Sequence, residues 1–226
     1  MNRATMRHTE ALDMVLFDLD GTLVDSAPDL VGALNQLRAE QGLPPQPLKT
    51  LRPFVGTGAK GMVGAGLQVF PEDAAFSALK DRFLALYAQR LQQETALFAG
   101  MTQVLAQLEA QGVRWGIVTN KSERFAQPLV AGLALNPAVL VCGDTTPFSK
   151  PHPEPLLHAA RQLAVPAQRV VYVGDDLRDV QAGRAAGMRT LAAAWGYLGP
   201  GEAPEHWAAD GLLTQPEDLL EWLDLA

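Results

Sequence analysis

The sequence lacks the features on which several common functions depend. One cysteine, Cys142, among 226 residues excludes a disulfide within the chain. Lys and Arg number 18 against 25 Asp and Glu, and the net charge of −7 argues against an extended nucleic-acid-binding surface. Residues 1–13 have no apolar stretch of the secretory type, and no run is long enough to span a membrane. We therefore expect a cytoplasmic protein without nucleic-acid or membrane partners.

The hydrophobic pattern predicts an α/β fold. Hydrophobic residues make up 48% of the chain, enough for a sizeable core. From about residue 97 onward, helical patterns alternate with short apolar runs at 113–118, 138–142, 169–173 and 189–193. An earlier apolar run lies at 15–17. Such alternation predicts a doubly wound, Rossmann-like parallel sheet with right-handed crossovers.

Residues 26–95 break this alternation. Their pattern is helical throughout, including a long amphipathic helix predicted to begin near Pro71, and no strand-like segment is evident. The helices are too many for one crossover connection, although they could simply pack on the sheet. We interpret residues 26–95 as an inserted helical cap domain, and residues 1–25 and 96–226 as the α/β core.

The first apolar run ends in two carboxylates, Asp18 and Asp20, which are followed by Gly21. Asp and Gly are also common in simple turns, so the pair alone is weak evidence of a site. However, open α/β sheets bind ligands at the carboxyl ends of their strands. Two neighbouring carboxylates stay charged there most easily beside a divalent cation, and hard oxygen ligands favour Mg²⁺.

Three further polar groups follow later strands or their connections. Thr119 and Asn120 end one strand, Lys150 lies in a Ser-Lys-Pro segment, and Asp175-Asp176 ends another strand. Each has a structural alternative, as a helix cap or an exposed loop charge. Together they supply an anion-binding hydroxyl, a cation, a carboxylate nucleophile and a metal-binding acid pair, which phosphoryl transfer requires.

The four segments, DLDGT at 18–22, TN at 119–120, Lys150 and GDD at 174–176, resemble the motifs of the haloacid dehalogenase-like phosphatases, in the same order. The resemblance runs from about residue 14 to the C-terminal region. It implies that Asp18 is the nucleophile that forms an aspartyl-phosphate. It also implies that Asp20 is the general acid and then the base, that Thr119 and Asn120 hold phosphate oxygens, and that Lys150 offsets negative charge.

The same resemblance implies a Mg²⁺ cofactor. Asp175 would bind the ion beside Asp18 and the backbone carbonyl of Asp20, and Asp176 would bind it through water or steady the site. Relatives that release halide or cleave phosphonates lack the second acid of the first motif. The presence of Asp20 therefore favours a phosphatase, with a phosphomutase or a non-catalytic binding protein as alternatives.

Two phosphatase groups compete for the substrate assignment. Residues 52–58 resemble the cap segment of bacterial phosphoglycolate phosphatases. Residues 118–128, 149–157 and 173–190 are more similar to bacterial N-acetylmuramic acid 6-phosphate phosphatases. Both resemblances imply a small phosphomonoester substrate that carries a carboxylate, with N-acetylmuramic acid 6-phosphate favoured over 2-phosphoglycolate. The chain is expected to be a monomer or homodimer.

The cap segment around Gly58 and Lys60 is the candidate for substrate selection. Glycine permits close backbone approach to a ligand. Lys60 could meet the substrate carboxylate or could be a solvated lysine at a helix start. Arg124 and Arg178 lie one helical turn beyond polar strand ends and could face the pocket, but we favour a role for both as structural or surface ion-pair residues.

The role of Asp20 is directly testable. Asp20→Asn removes the group that protonates the leaving alkoxide, and we expect activity to fall on the order of 10²–10⁴-fold, as measured by phosphate release. Near-normal turnover would show that another group performs the proton transfer.

Overall fold

The computed structural model describes residues 12–199 and 201–225. The strands of this part of the chain are β1 (Met14–Phe17), β2 (Val24–Asp25), β3 (Ala96–Leu97), β4 (Arg114–Val118), β5 (Leu140–Val141), β6 (Val170–Gly174), β7 (Arg189–Ala193) and β8 (Gly211–Leu213). The helices are α1 (Ala27–Glu40), α2 (Leu48–Leu51), α3 (Gly58–Leu67), α4 (Phe76–Arg90), α5 (Met101–Ala110), α6 (Glu123–Gly132), α7 (Glu154–Gln162), α8 (Leu177–Ala185) and α9 (Asp218–Trp222). Short 3₁₀ helices lie at Arg52–Thr57, Ala167–Arg169 and Pro204–His206.

Six strands form one parallel sheet in the order β5-β4-β1-β6-β7-β8, which confirms the prediction of a parallel α/β fold. The chain extends the sheet on one side of β1 with β4 and β5, and then crosses to the other side for β6. This change of direction places the ends of β4 and β6 on either side of the end of β1. Ligand sites in open α/β sheets lie at such a switch point.

The central strand β1 is buried on both faces. Val15 and Phe17 pack into an apolar cluster with α5, α6 and α9. Met14 and Leu16 point to the opposite face and pack with α7 and α8. Side chains alternate between the faces of a strand, so one short apolar run serves two layers of the core.

Helices α1, α3 and α4 share a separate apolar cluster, to which Phe125 of α6 and Tyr197 of the loop after β7 also contribute. The strands that flank this segment, β2 and β3, pair with each other in antiparallel fashion. The long helix that was predicted to begin near Pro71 begins at Phe76. We propose that residues 26–95 form a cap on the core, with entry and exit at the β2–β3 pair.

Strand β8 was not predicted from the sequence. It is three residues long and joins the edge of the sheet beside β7, with Leu213 buried in the core. Three residues are too few to show an apolar alternation, so the pattern predicted only a small closing unit there.

None of the helices within residues 12–199 and 201–225 has the length and apolar character that a bilayer span requires.

The buried carboxylate of Asp29 ties the start of α1 to the chain that leaves α4. It accepts hydrogen bonds from the backbone N–H groups of Glu94 and Thr95 at 3.0 and 2.9 Å, and from the Thr95 hydroxyl at 2.7 Å. Buried donors that lose their acceptor are costly. The carboxylate therefore fixes the point at which the helical segment returns to the core.

We expect Asp29→Ala to lower the free energy of unfolding by about 3 kcal/mol, because it leaves these donors buried without a partner. Urea unfolding measures the change. The control is Asp81→Ala, whose side chain is 68% exposed, with an expected change within about 0.5 kcal/mol. Equal effects of the two variants would contradict the role of Asp29.

Candidate active site

The turn after β1 presents Asp18 and Asp20 at the carboxyl edge of the sheet. The backbone N–H of Asp18 donates to the carbonyl of Val173 in β6 at 2.9 Å, so the strand pairing continues up to the first carboxylate. Gly21 has a φ of +89°, and a Cβ on it would lie 2.2 Å from an oxygen of Asp175. A glycine is therefore required here for both backbone conformation and space.

Lys150 provides the buried positive charge of the site. Its Nζ lies 2.8 Å from Asp18 Oδ1 and 2.7 Å from Asp179 Oδ1, and it donates to the Tyr172 hydroxyl at 2.7 Å and to the Val118 carbonyl at 3.1 Å. Its side chain is only 2% exposed. Burial opposes protonation, but Asp179 and Asp18 raise the pKa of Lys150 above its usual range. The side chain is therefore an ammonium ion.

Three carboxylates converge beside Lys150. Asp18, Asp175 and Asp179 each offer an oxygen, and these atoms lie within 4.8 Å of one another. Burial raises the pKa of Asp18 to about 6, although Lys150 acts in the opposite direction. Burial, and then the charges of Asp18 and Asp179, raise the pKa of Asp175 well above its usual range.

One lysine thus offsets only part of the charge of this triad. Asp18 Oδ1 is buried and, despite its proximity to Lys150 Nζ, accepts no hydrogen bond of normal geometry. Three oxygen donors with excess negative charge fit a hard divalent cation, which would remove the repulsion between them. The triad could therefore hold a metal ion.

Asp175 is held rigidly by its neighbours. The Thr22 hydroxyl donates to one carboxylate oxygen at 2.9 Å, and the backbone N–H of Tyr197 donates to the other at 2.8 Å. The Tyr197 hydroxyl in turn accepts hydrogen bonds from the backbone N–H groups of Ser26 and Ala27 at 2.8 and 3.1 Å. The loop after β7 therefore joins a triad carboxylate to the first residues of α1.

The second acid of the GDD segment lies in a different environment from Asp175. Asp176 caps α8, where it accepts the backbone N–H of Arg178 at 2.9 Å, and its two oxygens each pair with that guanidinium at 2.8 Å. Burial opposes the effect, but Arg178 lowers the pKa of Asp176. The third member of the triad is instead Asp179, which the sequence reasoning missed. Its spacing of four residues from Asp175, in the first turn of a helix, was the available signal.

The Asp20 side chain also lies apart from the triad. It accepts hydrogen bonds from the Ser26 hydroxyl and from Lys121 Nζ, the latter at 3.1 Å to both oxygens. Burial would lower the pKa of Lys121, but Asp20 more than offsets this and the pKa is raised. Lys121 lies 4.7 Å from the ring centre of Tyr87 in α4. Sequence reasoning identified neither of these two partners of Asp20, although Lys121 directly follows the TN segment.

Thr119 and Asn120 both reach the pocket, but their side chains have different partners. The buried Thr119 hydroxyl accepts the backbone N–H of Lys121 at 3.1 Å. The Asn120 amide exchanges two hydrogen bonds with the backbone of Lys150, at 2.9 and 3.0 Å. In this arrangement Asn120 fixes the segment that delivers the buried lysine.

These groups form the floor of a cavity of about 410 Å³ between the sheet edge and the helical segment. Its far wall is largely apolar, with Leu30, Val55, Phe83 and Leu84 among the lining residues. Gly58, a sequence-based candidate for substrate contact, also lines it. Lys60 is exposed and does not line it, because α3 begins at Gly58 and two residues along a helix turn by roughly 200°.

Comparison with known proteins agrees with this geometry. The family model of the haloacid dehalogenase-like hydrolases matches residues 15–193, and the chain belongs to this family. An N-acetylmuramic acid 6-phosphate phosphatase of Pseudomonas aeruginosa is 42% identical over 217 residues, which cover 95% of this chain and 96% of the relative. A phosphoglycolate phosphatase of Xanthomonas campestris pv. campestris is 46% identical over 209 residues, covering 92% and 94%.

Solved structures show the same fold. That of a predicted phosphoglycolate phosphatase from Haemophilus somnus 129pt has a TM-score of 0.84 at 24% identity, and covers 95% of this chain and 99% of the other. The expectation of a haloacid dehalogenase-like phosphatase, a phosphoric monoester hydrolase, is confirmed.

We expect Mg²⁺ to stabilise the protein against thermal unfolding, because it neutralises the repulsion within the triad. At a free concentration about a hundred times the dissociation constant, the gain is about 2.7 kcal/mol. Asp175→Asn should abolish the response to Mg²⁺, whereas Asp176→Asn should retain it, since the structure pairs Asp176 with Arg178. Loss of the response in Asp176→Asn alone would place the ion elsewhere.

Proposed function

We propose that the chain is a Mg²⁺-dependent phosphatase that hydrolyses the phosphomonoester of a small metabolite carrying a carboxylate. The favoured substrate is N-acetylmuramic acid 6-phosphate or a close analogue, and the alternative is 2-phosphoglycolate. The observation that carries this proposal is the carboxylate of Asp18 beside Lys150 and two further acids on the floor of a cavity.

Asp18 is the nucleophile in this proposal. Its carboxylate oxygen attacks phosphorus, the ester P–O bond breaks, and the leaving alkoxide takes a proton from Asp20. Asp20 then accepts a proton from water as the water oxygen attacks the aspartyl-phosphate, which releases inorganic phosphate and regenerates both acids. A carboxylate nucleophile in this way divides one slow hydrolysis into two easier displacements.

Asp18, Asp175 and Asp179 are the residues that would hold Mg²⁺, which supplies positive charge for the phosphoryl oxygens when bound. Lys150 adds a fixed positive charge on the side of Asp18, held in place by four contacts that no substrate needs to rearrange. Preorganised charge of this kind stabilises the transition state of phosphoryl transfer, which makes little covalent demand on the protein.

The surroundings of Asp20 hold its carboxylate in a fixed orientation for the two proton transfers. Ser26, the first residue of the helical cap, and Lys121, which follows β4, fix the orientation of the carboxylate. The close approach of Tyr87 to Lys121 connects this acid to α4. The proton donor is thereby oriented by the same segment of the chain that encloses the leaving group.

The cavity supports the larger of the two substrates. Pockets of roughly 300–1,000 Å³ typically hold ligands much larger than a two-carbon acid phosphate, and bind them mainly through apolar walls. The present cavity, at about 410 Å³, has such a wall on its cap side. A sugar phosphate would contact that wall, whereas 2-phosphoglycolate would leave most of it uncovered. Relatives named phosphoglycolate phosphatase support the alternative.

We expect Mg²⁺-dependent turnover of N-acetylmuramic acid 6-phosphate to exceed that of 2-phosphoglycolate by a hundredfold or more in kcat/KM, about 2.7 kcal/mol of differential transition-state binding. Asp18→Asn, which cannot form the covalent intermediate, is the blank and should be inactive on both. A reversed preference would establish the alternative. Failure to hydrolyse either compound or an aryl phosphate would refute the phosphatase proposal.

A further inference from the structure

The cationic side chains around the cavity differ in whether a carboxylate of the protein already pairs with them. Among the described residues, four cationic side chains line it. Three already have carboxylate partners: Lys150 pairs with Asp18 and Asp179, Lys121 with Asp20, and Arg178 with Asp176. Arg124 is the fourth, and across residues 12–199 and 201–225 it has no carboxylate partner.

Arg124 is also positioned by its neighbour. It is the second residue of α6, and its guanidinium lies over the ring of Phe125, 4.5 Å from the ring centre. Phe125 is buried and packs against Tyr87 of α4, with ring centres 5.3 Å apart. Stacking on an aromatic face restricts a guanidinium and leaves its N–H donors free at the edges. The buried ring of Phe125 therefore holds the exposed side chain of Arg124 at the cavity.

We infer that Arg124 is a specificity-determining residue that binds a second anionic group of the substrate, its carboxylate. The inference rests on the proposed phosphatase function and names the substrate class more narrowly. The ligand is a phosphomonoester whose skeleton lies along the apolar wall and whose carboxylate meets Arg124.

The group at this position is an arginine, and its geometry matches a carboxylate of the ligand. The guanidinium presents paired N–H donors that match the two oxygens of a carboxylate, and such charge-assisted pairs are stronger than neutral hydrogen bonds. The adjacent Tyr87 and Phe125 rings and the wall residue Leu84 offer apolar surface to the faces of a sugar ring or a comparable skeleton. Lys60, the sequence-based candidate for this contact, is exposed and does not line the cavity.

The test uses pairs of substrates in which one member lacks the group that bears the carboxylate. N-acetylglucosamine 6-phosphate lacks the lactyl acid of N-acetylmuramic acid 6-phosphate, and ethyl phosphate lacks the carboxylate of 2-phosphoglycolate. For each pair, kcat/KM with Mg²⁺ is measured for the wild type, Arg124→Met and Arg124→Lys. The result is taken from the pair whose acid member has the higher kcat/KM with the wild type.

We expect Arg124→Met to lower the acid-to-neutral ratio of kcat/KM about tenfold or more, mainly through KM, because an ion pair made in both ground and transition states is lost. Arg124→Lys should restore part of the ratio. Activity on the neutral member and on an aryl phosphate should stay within about twofold of the wild type. The matched control is Arg161→Met, an exposed arginine on α7 paired with Glu154, which should leave the ratio unchanged.

Three outcomes would overturn the inference. An unchanged ratio in Arg124→Met would show that the carboxylate is bound elsewhere, and equal losses on acid and neutral substrates would show a structural role. Equal kcat/KM of the wild type for the acid and neutral members of both pairs would show that the protein does not recognise a carboxylate. Absence of Mg²⁺-dependent turnover on every compound, the aryl phosphate included, would instead refute the phosphatase function itself.

Discussion

A single buried ammonium group, that of Lys150, holds the catalytic edge of this protein together. It contacts the carboxylates of Asp18, which follows β1, and Asp179, in the first turn of α8, and its own backbone is fixed by the side chain of Asn120. A buried charge without partners would be strongly destabilising, and three neighbouring carboxylates without a cation would repel one another. Each charge in the cluster therefore depends on the others. The charges of the candidate site therefore also contribute to the stability of the edge of the sheet.

The sequence was sufficient to predict the groups that the sheet itself brings together. Asp18, Thr119 and Asp175 each follow an apolar run, and parallel strands bring their carboxyl ends to one edge whatever the rest of the chain does. Groups whose position depends on helix packing were not predictable in this way. The contact of Lys121 with Tyr87 requires the docking of α4, and no local sequence pattern predicts it. The sequence left the role of Lys60 open for a related reason, since the direction of its side chain depends on where α3 begins.

The residues that position the chemistry are distributed over segments far apart in the chain. Tyr197, which follows β7, binds both a triad carboxylate and the first backbone N–H groups of α1. Ser26, at the start of the same helix, binds the second acid. The aromatic loop after β7 and the entry to the helical segment thus share one hydrogen-bond network with the candidate metal ligands. A displacement of that helix would therefore change the hydrogen bonds that position Asp20 and Asp175.

The antiparallel pairing of β2 with β3 has a consequence for how such a protein can diversify. Because Asp25 and Ala96 are paired partners, the seventy residues between them begin and end at adjacent points on the core. Lengthening or replacing a segment whose ends already meet adds little closure entropy and does not disturb the strand register. Most of the cavity's apolar wall lies in this segment, whereas Asp18 and Asp20 directly follow a strand of the sheet. Under the proposed function, the surface that contacts the leaving group can therefore change in evolution while the acids at the edge of the sheet stay the same.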